Sequence, residues 1–191
     1  MRKLLLASSS PYRRELLERL RLPFDWASPD IDESQLPNEA PDALVSRLAR
    51  QKAEALAPTH RQHLIIGSDQ VAVCGDQVLG KPYTFAKACA QLLQASGRSV
   101  NFLTGLALLD AASNRCQVDV VAFTVHMREL SEAQIERYLL AEQPYDCAGS
   151  FKAEGLGVSL FKRTEGVDAT SLIGLPLIRL VDMLLHEGFT L

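Results

Sequence analysis

The chain has 191 residues, 47% of them apolar and 23% charged, with a formal net charge of -3 at pH 7. That length supports one large domain, or two small lobes, with a substantial buried core. The charge excludes a general nucleic-acid binder, which would be basic, and no apolar run approaches the length of a membrane span.

Residues 4–7, all apolar, read as a strand that runs into Ser8-Ser9-Ser10-Pro11. Tyr12, Leu16, Leu17 and Leu20 then recur at helical spacing, which predicts a helix over 11–21 with Pro11 in its first turn. A strand that turns directly into a helix leaves backbone N–H groups at the helix N-terminus, an anion site with Arg13 and Arg14 beside it. A phosphorylated ligand is therefore expected from the first turn of the chain. Pro23 ends this helix, 24–27 reads as a short strand, and 28–39 as an acidic, proline-containing loop. A second helix, 41–57, carries Leu44, Val45, Leu48, Ala49 and Leu56 on its buried face.

Residues 63–73 read as a central strand, with a turn at Gly75-Asp76 leading to Val78-Leu79. The loop Gly80-Lys81-Pro82 precedes a helix over 84–95 that Gly97 ends. Two long strands follow, 100–110 and 116–126, joined by a polar turn. Ser131 with Gln134 is a capping-box pattern that opens a helix to about Glu142. A loop over 147–157 leads to a strand ending near Phe161, and the last helix starts at Leu175-Pro176 with Leu177, Ile178, Val181, Leu184 and Leu185 as its stripe. Helices and strands alternate around one antiparallel pair, which predicts a mixed α/β sheet. The apolar run after Arg2-Lys3 is too short for a signal peptide, so a cytoplasmic protein is expected. Cys74, Cys89, Cys116 and Cys147 have neither C-x-x-C nor zinc spacing and are expected as reduced thiols.

Asp69 is the most conspicuous polar residue. It follows Leu-Ile-Ile-Gly-Ser on a strand that should be buried, where a carboxylate needs a metal, a cation, a cleft or a backbone cap. Lys81 is presented between a glycine and a proline, whereas Lys52 on the second helix and Asp32-Glu33 in the acidic loop read, taken singly, as solvated charges. His60 and His63 read as an exposed loop pair. No phosphate-binding Gly-x-x-x-x-Gly-Lys-Ser/Thr, dinucleotide Gly-x-Gly-x-x-Gly or Gly-x-Ser-x-Gly elbow is present.

In order, the chain carries Leu-Ala-Ser-x-Ser-Pro-x-Arg-Arg at 6–14, Asp-Ile-Asp-Glu at 30–33, Lys52-Ala53 and Gly-Ser-Asp at 67–69. Gly-Lys-Pro at 80–82, Ser-Gly at 96–97, Thr-Gly at 104–105, Ala-Gly at 148–149 and Gly-Leu-Pro-Leu at 174–177 complete the series. This ordered set resembles the Maf family of nucleoside triphosphate pyrophosphatases over essentially the whole chain, as a single domain spanning 1–191. The resemblance implies a mixed twisted sheet with flanking helices and two lobes around a central cleft. It also implies a divalent metal (Mg²⁺ or Mn²⁺), a homodimer, and a nucleoside triphosphate substrate with no nucleic-acid or membrane partner. Asp69 matches the family's proton acceptor, with Glu33 and Lys81 as catalytic partners and Ser8, Arg13 and Lys52 as substrate contacts. Glu33 and Asp69 would hold the metal; whether Asp69 acts as base, ligand or both stays open.

The implied reaction is hydrolysis of the α–β phosphoanhydride, for which Arg13, Lys52 and Lys81 suit the charge on the leaving pyrophosphate. Departures from the commoner family pattern fall at Tyr12, Gln70 and Glu154 and resemble the branch acting on 7-methyl-GTP. Tyr12 would stack on the cationic base, for about 0.5–2 kcal/mol, Glu154 would accept from the guanine N1–H and amino group, and Gln70 would add polar contacts. Tyr12 also fits a core position in stripe with Leu16 and Leu20. Cys147 and Val100 depart from a frequent Lys and His without an evident role. The alternatives are a pyrophosphatase for dTTP, UTP or noncanonical nucleotides, and a non-catalytic nucleotide-binding regulator of cell division.

Overall fold

The computed structural model of the protein describes residues 2–190. Its elements run β1 (Lys3–Ala7), α1 (Pro11–Glu18), β2 (Phe24–Ala27), α2 (Pro41–Leu56), β3 (His63–Cys74), β4 (Gln77–Leu79) and α3 (Phe85–Ala95). They continue with β5 (Ser99–Asp110), β6 (Arg115–Met127), α4 (Glu132–Glu142), β7 (Phe161–Gly166), α5 (Ala169–Ile173) and α6 (Leu177–His186). The strands form a mixed sheet in the order β2-β1-β3-β5-β6-β7, with β4 paired to β3. β1 runs parallel to both β2 and β3, whereas β3–β4 and β6–β7 are antiparallel. The mixed α/β sheet read from the sequence is the one observed.

The chain divides into two compact units. The first holds residues 2–70, 104–121 and 168–190. Its centre is β1, buried on both faces as a strand between parallel neighbours must be. Leu4 and Leu6 pack with Leu16, Leu17, Leu64, Ile66 and the α6 residues Leu180 and Leu184, while Leu5 and Ala7 meet Ala53, Ile65 and Leu109 on the other face. α1 stops at Glu18, short of residue 21, because Arg21 turns into the left-handed region (φ 54°) ahead of Pro23. α5 was not legible in the sequence: it is one five-residue turn, too short to show an apolar period, capped by the Asp168 carboxylate on the Thr170 N–H. The α6 stripe is rotated from the expected one. Leu177, Leu180, Met183 and Leu184 are buried, whereas Ile178 and Leu185 are exposed.

The second unit holds residues 71–103 and 122–167. Thr84 caps α3 through the Lys87 N–H, and the Ser131–Gln134 capping box opens α4 as its sequence predicts. Phe102, Phe151 and Phe161 form an edge-to-face chain with centroids 5.1 and 4.9 Å apart. The strand expected to end near Phe161 instead begins there. The preceding residues coil into two short 3₁₀ turns, Ala148–Ser150 and Leu156–Leu160; in the first, Gly149 and Ser150 both take positive φ and break the extended path. The four cysteines are free. Among the described residues no helix is long and apolar enough to cross a membrane.

Candidate active site

In β3 successive side chains alternate faces, so Gly67 and Asp69 share one face and Ser68 and Gln70 the other. α2 lies directly on the first face. A Cβ at Gly67 would sit 2.0 Å from the Ala49 carbonyl oxygen, and one at Gly105 of β5 would sit 2.1 Å from that of Val45. Only glycine at these two places lets the helix backbone come this close, and the approach carries Lys52 onto Asp69. The Lys52 Nζ lies 2.7 Å from Asp69 Oδ1 and 3.1 Å from Glu33 Oε1. Lys52 and Asp69 are 5% and 7% exposed, whereas the Glu33 side chain is mostly in solvent. A charge-assisted pair removed from water in this way is directional and strongly felt.

Glu33 reaches Lys52 because its loop is clamped to α2. The Glu39 carboxylate takes the Arg47 guanidinium in a two-point grip, at 2.6 and 2.8 Å, and Arg47 also donates to the Ser34 carbonyl at 3.0 Å. Those Arg47 hydrogen bonds hold the Glu39 carboxyl down at about 2.

At the β1–α1 turn, the buried Ser8 Oγ accepts from the Ser10 N–H at 3.1 Å and from Arg13 Nη1 at 3.4 Å. Ser10 Oγ accepts from the Arg13 N–H as the helix cap. The turn's own hydroxyls thus meet part of the open N–H set that the sequence suggested for an anion. Arg13 Nε donates to the Gly174 carbonyl at 2.8 Å. Burial pulls the Arg13 pKa down, and the charges of Asp69 and Glu33 oppose that shift, so this guanidinium belongs to the same electrostatic group as Lys52. Arg14, expected beside the anion site, instead lies 4.1 Å over the ring of Trp26 on β2.

The second face of β3 holds a polar frame built on Ser68, to which the sequence assigned no role, and on Gln70, expected to add polar contacts to the base. Ser68 Oγ lies 2.9 and 3.0 Å from the carbonyls of Gly105 and Gly174. Gln70 Nε2 donates toward Ser171 O, Thr104 Oγ1 and Leu172 O at 2.7, 3.0 and 3.2 Å. Its amide therefore holds α5 in place. Asp168 and Thr170 bond the N–H groups of Ile178 and Leu177, tying α5 to α6 and fixing the Gly174 carbonyl that Arg13 uses. The Gly-Ser-Asp, Thr-Gly and Gly-Leu-Pro-Leu motifs and the departure at Gln70 were the sequence signals for this frame.

The first unit thus brings together Ser8, Arg13, Glu33, Lys52 and Asp69, with Gln70 behind them and Tyr12 half-buried on the first turn of α1. Lys81 and Glu154 belong to the second unit, each exposed on a loop. The Lys81 loop is held by Gln91, which donates to the Gly80 carbonyl at 3.1 Å and accepts from the Ser150 hydroxyl. Among the described residues no group of three or more His, Cys, Asp or Glu is gathered to hold a metal. A Mg²⁺ ion that retains waters and takes phosphate oxygens needs only one or two carboxylates. Asp69 and Glu33, both held by Lys52, are the two carboxylates of this site.

Residues 3–187 match the family model described as Maf, Maf-like protein, and the chain belongs to the Maf family. Over 98% of its length it is similar to proteins named 7-methyl-GTP pyrophosphatase. The one from Pseudomonas putida is 73% identical over 188 residues and is itself covered to 98%. That of Pseudomonas aeruginosa is 68% identical with the same coverage, and that of Alcanivorax borkumensis is 60% identical with 95% of it covered.

Proposed function

We propose that this protein is a nucleoside triphosphate pyrophosphatase acting on 7-methyl-GTP, releasing pyrophosphate and the 7-methylated monophosphate. The buried Lys52, held between Asp69 and Glu33 with Arg13 in the same electrostatic group, is the observation that carries the catalytic part. The full-length likeness to relatives bearing that name supports the substrate.

In this reading Asp69 takes the proton of a water that attacks the α-phosphorus, and the α–β P–O bond breaks with its electrons going to pyrophosphate. Lys52 fixes one carboxylate oxygen of Asp69 and leaves the other for the water. Arg13, oriented by Ser8 and Gly174, meets phosphate charge with a rigid planar donor set. Asp69 and Glu33 would hold a divalent cation, Mg²⁺ or Mn²⁺, which when bound neutralises phosphate charge and acidifies water. Lys81 adds a further cation, and Tyr12 and Glu154 read the methylated base; these roles rest on the motif match. Gln70, expected to add polar contacts to the base, spends its amide nitrogen on the carbonyls of α5 and in this reading acts from behind the site. We treat residues 1–191 as one functional domain, working in the cytoplasm as a homodimer.

Pyrophosphate release with Mg²⁺ over 7-methyl-GTP, GTP, UTP and dTTP tests this. Turnover of 7-methyl-GTP is expected to lead. Silence on every triphosphate ends the enzymatic reading, and turnover of UTP and dTTP alone ends the assignment of substrate. Tyr12→Ala is expected to lower kcat/KM for 7-methyl-GTP by about 2- to 30-fold, the equivalent of a cation–π contact of about 0.5–2 kcal/mol, with little change for GTP.

A further inference from the structure

Glu154 sits on the loop over 152–157, and α4 grips that loop at two points. The Glu142 Oε2 accepts from the Leu156 N–H at 2.6 Å, and Lys152 Nζ lies 3.9 Å from Oε1 of the same carboxylate. One helical turn earlier, the buried Tyr138 hydroxyl accepts from the Lys152 N–H at 3.0 Å. The loop also closes on itself, since the N–H groups of Gly155 and Gly157 both bond the Lys152 carbonyl. Two helix residues spaced i, i+4 therefore share one face of α4 and hold the backbone on either side of Glu154.

Gly155 is shaped for this grip. A Cβ there would lie 2.6 Å from both Glu142 carboxylate oxygens. Its φ is −115°, so the requirement is room for the carboxylate and not a left-handed backbone. Gly157 packs as closely on the loop itself, where a Cβ would lie 2.3 Å from the Lys152 carbonyl oxygen. Glu154 itself is exposed, and none of these bonds restrains its side chain directly. What the bonds restrain is the path of the backbone that presents it.

We propose that Glu142 is a specificity-positioning residue: it acts through the Leu156 N–H to hold the loop that presents Glu154 to the base. This rests on Glu154 being the reader of the methylated base. A carboxylate accepting a backbone N–H loses little when it becomes the isosteric amide, whose oxygen still accepts, and loses the contact entirely as alanine. Glu142→Ala should therefore loosen the loop, and Glu142→Gln should keep it.

The test measures kcat/KM for 7-methyl-GTP and GTP in the full-length wild type, E142A, E142Q, G155A and E154Q, together with hydrogen exchange at the Leu156 amide. In E142A the preference for 7-methyl-GTP should fall about tenfold and the Leu156 amide should exchange faster, with E142Q near wild type in both. G155A should imitate E142A by displacing the carboxylate, and the double variant E142A/G155A should be no worse than either single one. Wild-type preference in E142A overturns the proposal. So does unchanged exchange at Leu156, which tests the grip even in a variant of low activity. Unchanged preference in E154Q overturns the assignment of Glu154, and with it any role of Glu142 exerted through that residue. A wild type inactive on 7-methyl-GTP ends the substrate assignment, while the exchange measurement still decides whether Glu142 holds the loop.

Discussion

Lys52 and Asp69 offer the sharpest test of how the site is held. Lys52→Met removes the donor 2.7 Å from Asp69 Oδ1 and leaves a carboxylate that is only 7% exposed. Removing one partner of a buried pair costs about 3–5 kcal/mol, and a residual charge from Arg13 places this case at the lower end, about 3 kcal/mol. Asp69→Asn is different. Lys52 keeps Glu33 at 3.1 Å, and the amide oxygen that replaces the carboxylate can still accept, so the loss is that of one charged hydrogen bond weakened, about 1 kcal/mol. In the double variant no charge is stranded next to an apolar side chain, and the loss should be about 2 kcal/mol, well short of the sum. At about 2–4 °C per kcal/mol for a chain of this size, K52M should melt about 6–12 °C lower and D69N about 2–4 °C lower. Calorimetry or thermal circular dichroism of the four proteins reads these differences, and D69N should in addition lose turnover while remaining folded. Strict additivity of the two single losses would refute the pairing, and a near wild-type rate in D69N would remove Asp69 from the reaction.

Two further outcomes follow from the same frame. Gly67→Ala places a Cβ against the Ala49 carbonyl oxygen and 3.1 Å from the Ala53 nitrogen, so α2 must lift from β3. The expected loss is about 1–3 kcal/mol in denaturant unfolding, with a loss of kcat as Lys52 leaves Asp69; an unchanged midpoint and rate would refute the close-approach role. For the Glu33 loop, Glu39 is held at about 2 against an ordinary 4.5, so between these values the unfolded chain binds the extra proton and stability falls as pH drops. The melting temperatures of wild type and Glu39→Gln should therefore differ at neutral pH and converge as pH falls from about 4.5 to about 2; a gap that stays constant over that window would count against the clamp.

Much of the chain announces itself locally. The apolar run of β1, the extent of α3, the capped start of α4 and the length of β3 follow from short-range rules, and the structure places them where pattern and capping predict. The elements that stayed illegible, α5 and the two 3₁₀ turns, are each a single turn and carry no period to read. The α6 stripe went astray for another reason: Ile178 and Leu185 are apolar yet lie on the solvent side, and composition cannot tell which way a helix with excess apolar residues will face.

The sequence alone determined the set of polar and charged residues, because the ordered motifs name Ser8, Arg13, Glu33, Lys52 and Asp69 wherever they come to lie. It could not decide how those charges are arranged. Lys52 and Glu33 read as solvated charges until Gly67 and Gly105 let α2 down onto the sheet and Arg47 folds the acidic loop back over it. Arg14, next to Arg13 in the chain, is turned by the helix onto Trp26, while Arg13 is caught by Gly174, a residue far along the chain. A charged side chain's environment depends on which remote backbone comes near it, and that is decided by the packing of helix on sheet, which no local pattern records.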